Sequence, residues 1–442
     1  MHPQHPKPPL NPSSNSLTRV IELPAQDASR STWHDVISET FLWYRDLGSS
    51  KKSLVISSYS DNVLTLNDLQ NFGTVVRRLL EPASDTIEDI RLFLSEQLFW
   101  TIYPLFTTLP FSNLHTFGVS FYKFKEMPNQ PDYLSSITDA FGTIHLANPP
   151  TTVRDLNLRD YFSGFLLPSV PDEIRSSMPW GSLTHLSIQE GANYCNELFR
   201  ALACCTNLKH CRLLLPGWNE DDQMIPPTQI YLAHLTHLEV EVQSHPSMVP
   251  LLDALMLPSL TSIRLSVHPG CGTLGSCHAE ALLALHSRRM FSLEKFVASG
   301  IEWDADELTK YLHRCPTLKC LVLYGCSCDW ESLLELLTYG DDWRAVPRLQ
   351  TLEFSSDVLF NRDDHLGQLT NLYLSRQELR MDPLLSGVGG PRGIRIVLKN
   401  ECRIEPDESW VLDALREIGI PVEFVTPSEH NIPPLSLDDL VL

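Results

Sequence analysis

The chain has 442 residues, 43% hydrophobic and 20% charged, which is the composition of a folded protein and excludes a disordered one. Its formal charge of −20 repels nucleic acid and anionic membrane, and its densest basic runs, such as Lys51-Lys52 and Arg288-Arg289, are only dipeptides. No stretch reaches the roughly 18 to 20 apolar residues that cross a bilayer, the N-terminus carries prolines where a signal peptide would be apolar, and eleven scattered cysteines suit a reducing compartment, so a cytoplasmic or nuclear protein is expected.

Residues 1–30 are rich in Pro, Ser and Asn without periodicity, which predicts a disordered segment. Residues 31–110 are less regular. There SLVISS (Ser53–Ser58) predicts a strand, and TIEDIRLFLSEQ (Thr86–Gln97) predicts a degenerate first repeat that caps the core.

From residue 111 to 425 one phrase recurs: apolar, two variable, apolar, one variable, apolar. Its copies are Leu114-Phe117-Val119, Val153-Leu156-Leu158, Leu183-Leu186-Ile188, Leu208-Cys211-Leu213, Leu235-Leu238-Val240, Leu260-Ile263-Leu265, Leu293-Phe296-Ala298, Leu318-Leu321-Leu323, Leu349-Leu352-Phe354 and Leu369-Leu372-Leu374. A looser copy lies at Ile394-Ile396-Leu398. Successive first anchors are 20 to 39 residues apart, in or above the period of leucine-rich repeats.

Each phrase predicts a strand, and helical patterns follow at Asn196–Cys205, Ser247–Met256, His278–Arg289, Asp304–Cys315 and Asp329–Gly340. Asp304 with Glu307 predicts a capping box, and Gly340 a helix stop. One strand and one helix cannot bury their own apolar face, so neighbours must stack. The expected fold is α/β: a leucine-rich-repeat solenoid, or horseshoe, with a parallel concave sheet and outer helices. Glu408–Gly419 and Val422–Val425 predict a closing helix and strand, and residues 426–442 an acidic mobile tail.

The variable strand positions align into columns on the concave face. One column brings His185, His210 and His237 to neighbouring strands about 5 Å apart. It reads either as a pH-sensitive or metal-recruiting patch or as solvated filler. The next column alternates Arg212, Glu239 and Arg264, which predicts cross-strand pairing as well as a readable surface. Val297, Val322, Tyr324 and Tyr373 form an apolar-aromatic zone that suits a partner's anchor.

Cys271, Cys277 and His278, and separately Cys315, Cys320, Cys326 and Cys328, lack the paired spacing of zinc sites, so no metal is expected. The G-x-S-x-G, P-loop, H-E-x-x-H and Rossmann patterns are absent. The expectation is a protein-binding scaffold that is not an enzyme and takes no cofactor, no nucleic acid and no membrane.

The segment ETFLWYRDLGSSKKSLVIS (Glu39–Ser57) and the phrases SLTHLSI, NLKHCRL, SLTSIRL and TLKCLVL resemble the F-box-like leucine-rich-repeat proteins of mushroom-forming fungi, over roughly Thr32 to Val425. That resemblance implies the substrate-recognition part of a ubiquitin-ligase receptor. In the family a preceding F-box opens on a leucine-proline phrase and binds the Skp-type adaptor of a cullin ubiquitin ligase. Here Glu22-Leu23-Pro24 is the similar phrase, followed by AQDASRSTWHD in place of an amphipathic helix, so the F-box reads as absent or truncated. The alternative is a free-standing leucine-rich-repeat regulator or decoy without a ligase link.

Overall fold

Alternation of apolar and polar residues over six positions gives a strand with one face to bury, and the chain repeats this solution many times. A computed structural model describes residues 17–23, 30–47, 50, 52–58, 64–121, 154–160, 180–190, 195–215, 229–242, 248–267, 277–338, 345–355, 358, 363–381, 394–399, 413, 415–417, 419–420 and 422–425. These residues form a mixed α/β structure with parallel sheets. It divides into two units, Met1–Ala192 and Asn193–Leu442.

The first unit runs β1 (Leu17–Glu22), α1 (Arg30–Leu47), β2 (Lys52–Ser57), α2 (Leu66–Leu80), β3 (Ile87–Leu94), α3 (Glu96–Thr108), β4 (Thr116–Phe121), β5 (Asp155–Asp160) and β6 (His185–Glu190). Each strand pairs in parallel with the next in chain order. Helix α2 starts at a capping box, in which the Thr65 hydroxyl accepts from the Asp68 N–H and the Asp68 carboxylate accepts from the Thr65 N–H. Its inner face buries Phe72, Val76, Leu79 and Leu80 at 0% exposure. Near its C-terminus the Tyr44 hydroxyl donates to the Leu79 carbonyl at 2.8 Å.

The expectation of disorder through residue 30 is corrected here. Leu17–Glu22 form β1, and Ile21 and Leu23 are 3% and 2% exposed. A short strand flanked by Pro, Ser and Asn loses its signal in a compositional average. The departure from helix read after Pro24 is also corrected, because α1 begins at Arg30.

The second unit runs α4 (Cys195–Cys204), β7 (His210–Leu215), β8 (Ile230–Tyr231), β9 (His237–Val242), α5 (Val249–Ala254), β10 (Leu255–Met256), β11 (Ser262–Val267), α6 (Cys277–Arg288), β12 (Lys295–Ser299), α7 (Ala305–His313), β13 (Cys320–Tyr324), α8 (Trp330–Leu337), β14 (Thr351–Ser355), α9 (Asp363–Met381), β15 (Arg395–Lys399) and β16 (Val422–Val425). Its main sheet has the order β7-β9-β11-β12-β13-β14-β15-β16, while β8 and β10 pair separately. On the main sheet's inner face Leu213, Val240, Ile263, Leu265, Phe296, Leu321, Leu352 and Ile396 are all 0% exposed. Burial of each such side chain stabilises the fold by about 1.5–3 kcal/mol.

One hydrogen-bond device fixes the register of successive turns. The Lys209 carbonyl accepts from the N–H groups of both Thr236 and His237. The Thr236 carbonyl does the same for Thr261 and Ser262, Thr261 for Glu294 and Lys295, Glu294 for Lys319 and Cys320, and Lys319 for Gln350 and Thr351. Threonine hydroxyls strengthen this carbonyl clasp: Thr236 Oγ1 donates to Lys209 O at 3.0 Å and Thr261 Oγ1 to Thr236 O at 3.0 Å. The recurring Thr of LTHL and LTSI therefore has a structural duty that the apolar pattern does not reveal.

After β12 and β13 the chain turns at Gly300 (φ 68°) and Gly325 (φ 51°), both left-handed. At Gly300 a Cβ would also sit 3.3 Å from the Val267 Cβ.

Three further readings need adjustment. Asp304 is the N-cap of α7 but its side chain makes no capping bond, so the capping box is not formed. The phrase at Leu369-Leu372-Leu374 is not a strand, because it lies inside α9. The predicted helices are otherwise present with ends shifted by one to a few residues, and Ser247–Met256 splits into α5 and β10. Gly340, residues 426–442 and most of Glu408–Gly419 lie outside the described residues. Among the described residues, no helix is long and apolar enough to cross a membrane.

Candidate functional site

The face of the second unit's sheet opposite its apolar layer carries the variable side chains in rows set by register. His210 pairs with His237 and then Ser262; Arg212 pairs with Glu239 and then Arg264. Further along, Arg264 pairs with Val297, Val297 with Val322, and Val322 with Glu353. The columns expected from the repeats are thus real neighbours within this unit. His185 lies on β6 of the first unit, in register with Asp155.

The rings of His210 and His237 stack with centroids 4.4 Å apart and planes 20° apart. The Thr236 hydroxyl gives its proton to Lys209 O and sits 2.8 Å from His237 Nδ1. Thr184 holds His185 in the same way, 3.0 Å from its Nδ1, with the hydroxyl directed to Arg154 O. The neighbouring threonine hydroxyl thus contacts Nδ1 in both copies. Imidazole lone pairs lie in the ring plane, so two stacked rings cannot both point at one ion. Among the described residues no group of three His, Cys, Asp or Glu side chains is placed to hold a metal.

Beside the histidines, Glu239 Oε1 is 3.6 Å from Arg212 Nε and 3.6 Å from Arg264 Nε. These are ion pairs slightly too long for direct hydrogen bonds. The three side chains keep 14–27% of their surface open. Pairs of this exposure contribute roughly 0.2–1 kcal/mol each, and they leave two guanidinium groups beside one carboxylate.

The apolar zone is partly corrected. Val297 and Val322 are 6% and 4% exposed, so both faces of β12 and β13 are covered at this level. Tyr324 remains half-buried on the sheet face. Tyr373 is not on the sheet. It lies on α9, 9% exposed, where its hydroxyl donates to Gly419 O at 3.3 Å and accepts from Gln377 Nε2 at 2.9 Å. Its role is to hold the helix against the closing segment of the unit.

No family model matches the chain, and no curated protein matches it.

Cys205, Cys211, Cys315 and Cys326 belong to the core. Burial pushes the Cys211 thiol up to about 12 and the Cys315 thiol up to about 12, and raises Cys205 and Cys328 well above the ordinary thiol range. Thiols held protonated in this way are poor nucleophiles and poor ligands. Cys320, on the sheet face, is raised as well: burial dominates, opposed by Lys295 and Arg395 and reinforced by Glu353. Cys271 lies outside the described residues.

Two residues missed by sequence reasoning organise the unit's interior. Arg376 is 3% exposed on α9 and donates to Leu337 O through Nε at 3.0 Å and Nη2 at 2.8 Å. It also reaches Val346 O at 3.4 Å, which places a cation against the C-terminus of α8. His286, 2% exposed on α6, packs on Phe291 with ring centroids 4.5 Å apart. Burial, aided by the Arg314 charge, lowers its pKa below the usual imidazole value. A charged residue within a helical apolar stripe was the available signal for Arg376.

Proposed function

We propose that the chain is a leucine-rich-repeat solenoid that acts as a non-enzymatic protein-binding scaffold in the cytoplasm or nucleus. The observation that carries this reading is the second unit's sheet. Its strands follow one another in register, bury one face fully, and offer on the other, over β7, β9 and β11, the half-open polar side chains of His210, Arg212, His237, Glu239, Ser262 and Arg264. Such a face suits recognition of another macromolecule more than chemistry on a small molecule. The carbonyl clasp repeated from turn to turn supports the repeat reading.

The resemblance to fungal F-box-like proteins suggests the substrate-recognition part of a ubiquitin-ligase receptor. One specific observation favours the alternative of a free-standing regulator or decoy. The leucine of the phrase that would open an F-box is tied into the first sheet: Leu23 is 2% exposed and its N–H donates to Ser57 O at 2.7 Å. A leucine so engaged is not available to an adaptor.

Co-precipitation of the full chain from its native cells, blotted for the adaptor and the cullin, tests both readings. Recovery of the adaptor supports the ligase reading. Other protein partners without it support the free-standing scaffold, and recovery of no protein partner overturns both.

A further inference from the structure

The strands of the second unit begin with a row that starts at His210 and His237, passes Ser262 and carries Lys295 and Arg395 further along. This row contains no carboxylate, although Asp and Glu outnumber Lys and Arg by 54 to 34 in the chain. The carboxylates of this face stand deeper in the strands, as Glu239, Glu241 and Glu353. Of these, Glu239 is flanked by Arg212 and Arg264. Glu294, next to Lys295 in the chain, is engaged by Lys319 at 2.7 Å. Lys295 and Arg395 are themselves exposed. The sheet thus grades from a basic margin at its strand starts to a mixed interior, against the sign of the protein as a whole.

We propose that this row binds an acidic peptide in extended form, laid across the strand starts. The proposal rests on the protein-binding reading above and specifies its partner. Charge complementarity picks out the occupant: a segment with carboxylates on one side would meet Lys295, Arg395 and the two imidazoles, while Glu353 stands two residues deeper on β14. The row from β7 to β15 crosses six strand intervals of about 4.8 Å, roughly 29 Å, which an extended chain spans in about nine residues at about 3.3 Å each. Alternate residues of an extended peptide point the same way, so glutamates at every second position present an acidic edge to the row.

The test uses the full-length protein and a fluorescein-labelled nonapeptide of alternating Glu and Ser, followed by anisotropy at 50 and 200 mM salt. A Gln-for-Glu peptide is the neutral control. The acidic peptide binds, the neutral one does not, and affinity falls as salt rises. Lys295→Glu with Arg395→Glu weakens binding at least tenfold. Arg78→Glu with Lys310→Glu, the same charge change on exposed helix positions, alters it less than twofold. If the first pair does not fold, as judged by circular dichroism, Lys295→Gln with Arg395→Gln takes its place and still weakens binding severalfold.

Equal binding of the neutral peptide, equal loss in both double variants, or no binding at 50 mM salt overturns the proposal. So does tighter binding of a nine-nucleotide single strand, which would make the row a nucleic-acid site. Co-precipitation with the Lys295/Arg395 variant separates the two levels. If this variant retains all the protein partners of the unaltered chain although it has lost the peptide, those partners do not use the row: the scaffold reading stands and the assignment of the row to an acidic partner falls.

Discussion

At a single level of the second sheet, β7, β9 and β11 present Arg212, Glu239 and Arg264, while β12 and β13 present Val297 and Val322. The backbone is the same parallel ladder throughout. The charged trio keeps 14–27% of its side-chain surface in water, whereas the valines are 6% and 4% exposed. The comparison teaches that this face is divided between two duties. Its valine half is a second core that holds the sheet, and its charged half contributes little to stability and is free to be read.

The largest expected effect lies on the valine side. Val322→Asp places a carboxylate in a covered site and should cost about 4 kcal/mol in urea unfolding, while Arg212→Asp on the same level costs less than about 1 kcal/mol. Similar losses for the two would erase the distinction.

Next comes Arg376→Met, which leaves the Leu337 and Val346 carbonyls without their cation and should cost about 3 kcal/mol. Loss of the same size in a variant of the charged trio would show that the sheet face, not the packed interior, carries the unit. Thr236→Val removes one clasp hydroxyl and its hydrogen bond with His237, for about 1 kcal/mol. The exchange rate of the amide at position 236, which should rise, reports whether the clasp has loosened.

A pH-dependent term belongs to the interior. The folded state holds His286 below its ordinary pKa, so the unfolded chain binds the proton first. Stability is then full above about pH 6.5 and falls as the pH drops below it. His286→Leu should flatten that decline between pH 7.5 and 5.5, and an unchanged slope would remove the assignment. The smallest effect is Glu239→Gln, about 0.5 kcal/mol and reduced further by salt. A loss above about 2 kcal/mol would mean that the trio belongs with the valines.

Much of this was legible in the residues. The spacing of anchors such as Leu208, Cys211 and Leu213 located β7, and the same spacing located β9, β11, β12, β13 and β14. The facing columns followed from period two alone. The phrase Leu369-Leu372-Leu374 misled because three-then-two spacing overlaps a helical stripe. Helix α9 buries Leu369, Leu372, Tyr373 and Arg376, at steps of three, one and three, and leaves Leu374 46% exposed. Only the burial of Leu374 would have marked a strand, and letters do not carry burial. Strand β1 was hidden for a different reason, since its neighbours in sequence set the compositional average. The covering of Val297 and Val322 depends on side chains brought alongside from other strands, so no single stretch of sequence announces it.

The carbonyl clasp has one more consequence. It recurs unchanged whether first anchors are 27 residues apart, as from Leu208 to Leu235, or 33 apart, as from Leu260 to Leu293. Alignment is thus reset at each turn by a single peptide group, and the stretch between two resets can lengthen without shifting the side chains on the sheet. Such a chain tolerates insertions during its descent while keeping the spacing of its surface. For the engineer, the intervals between strands are the places to graft new segments.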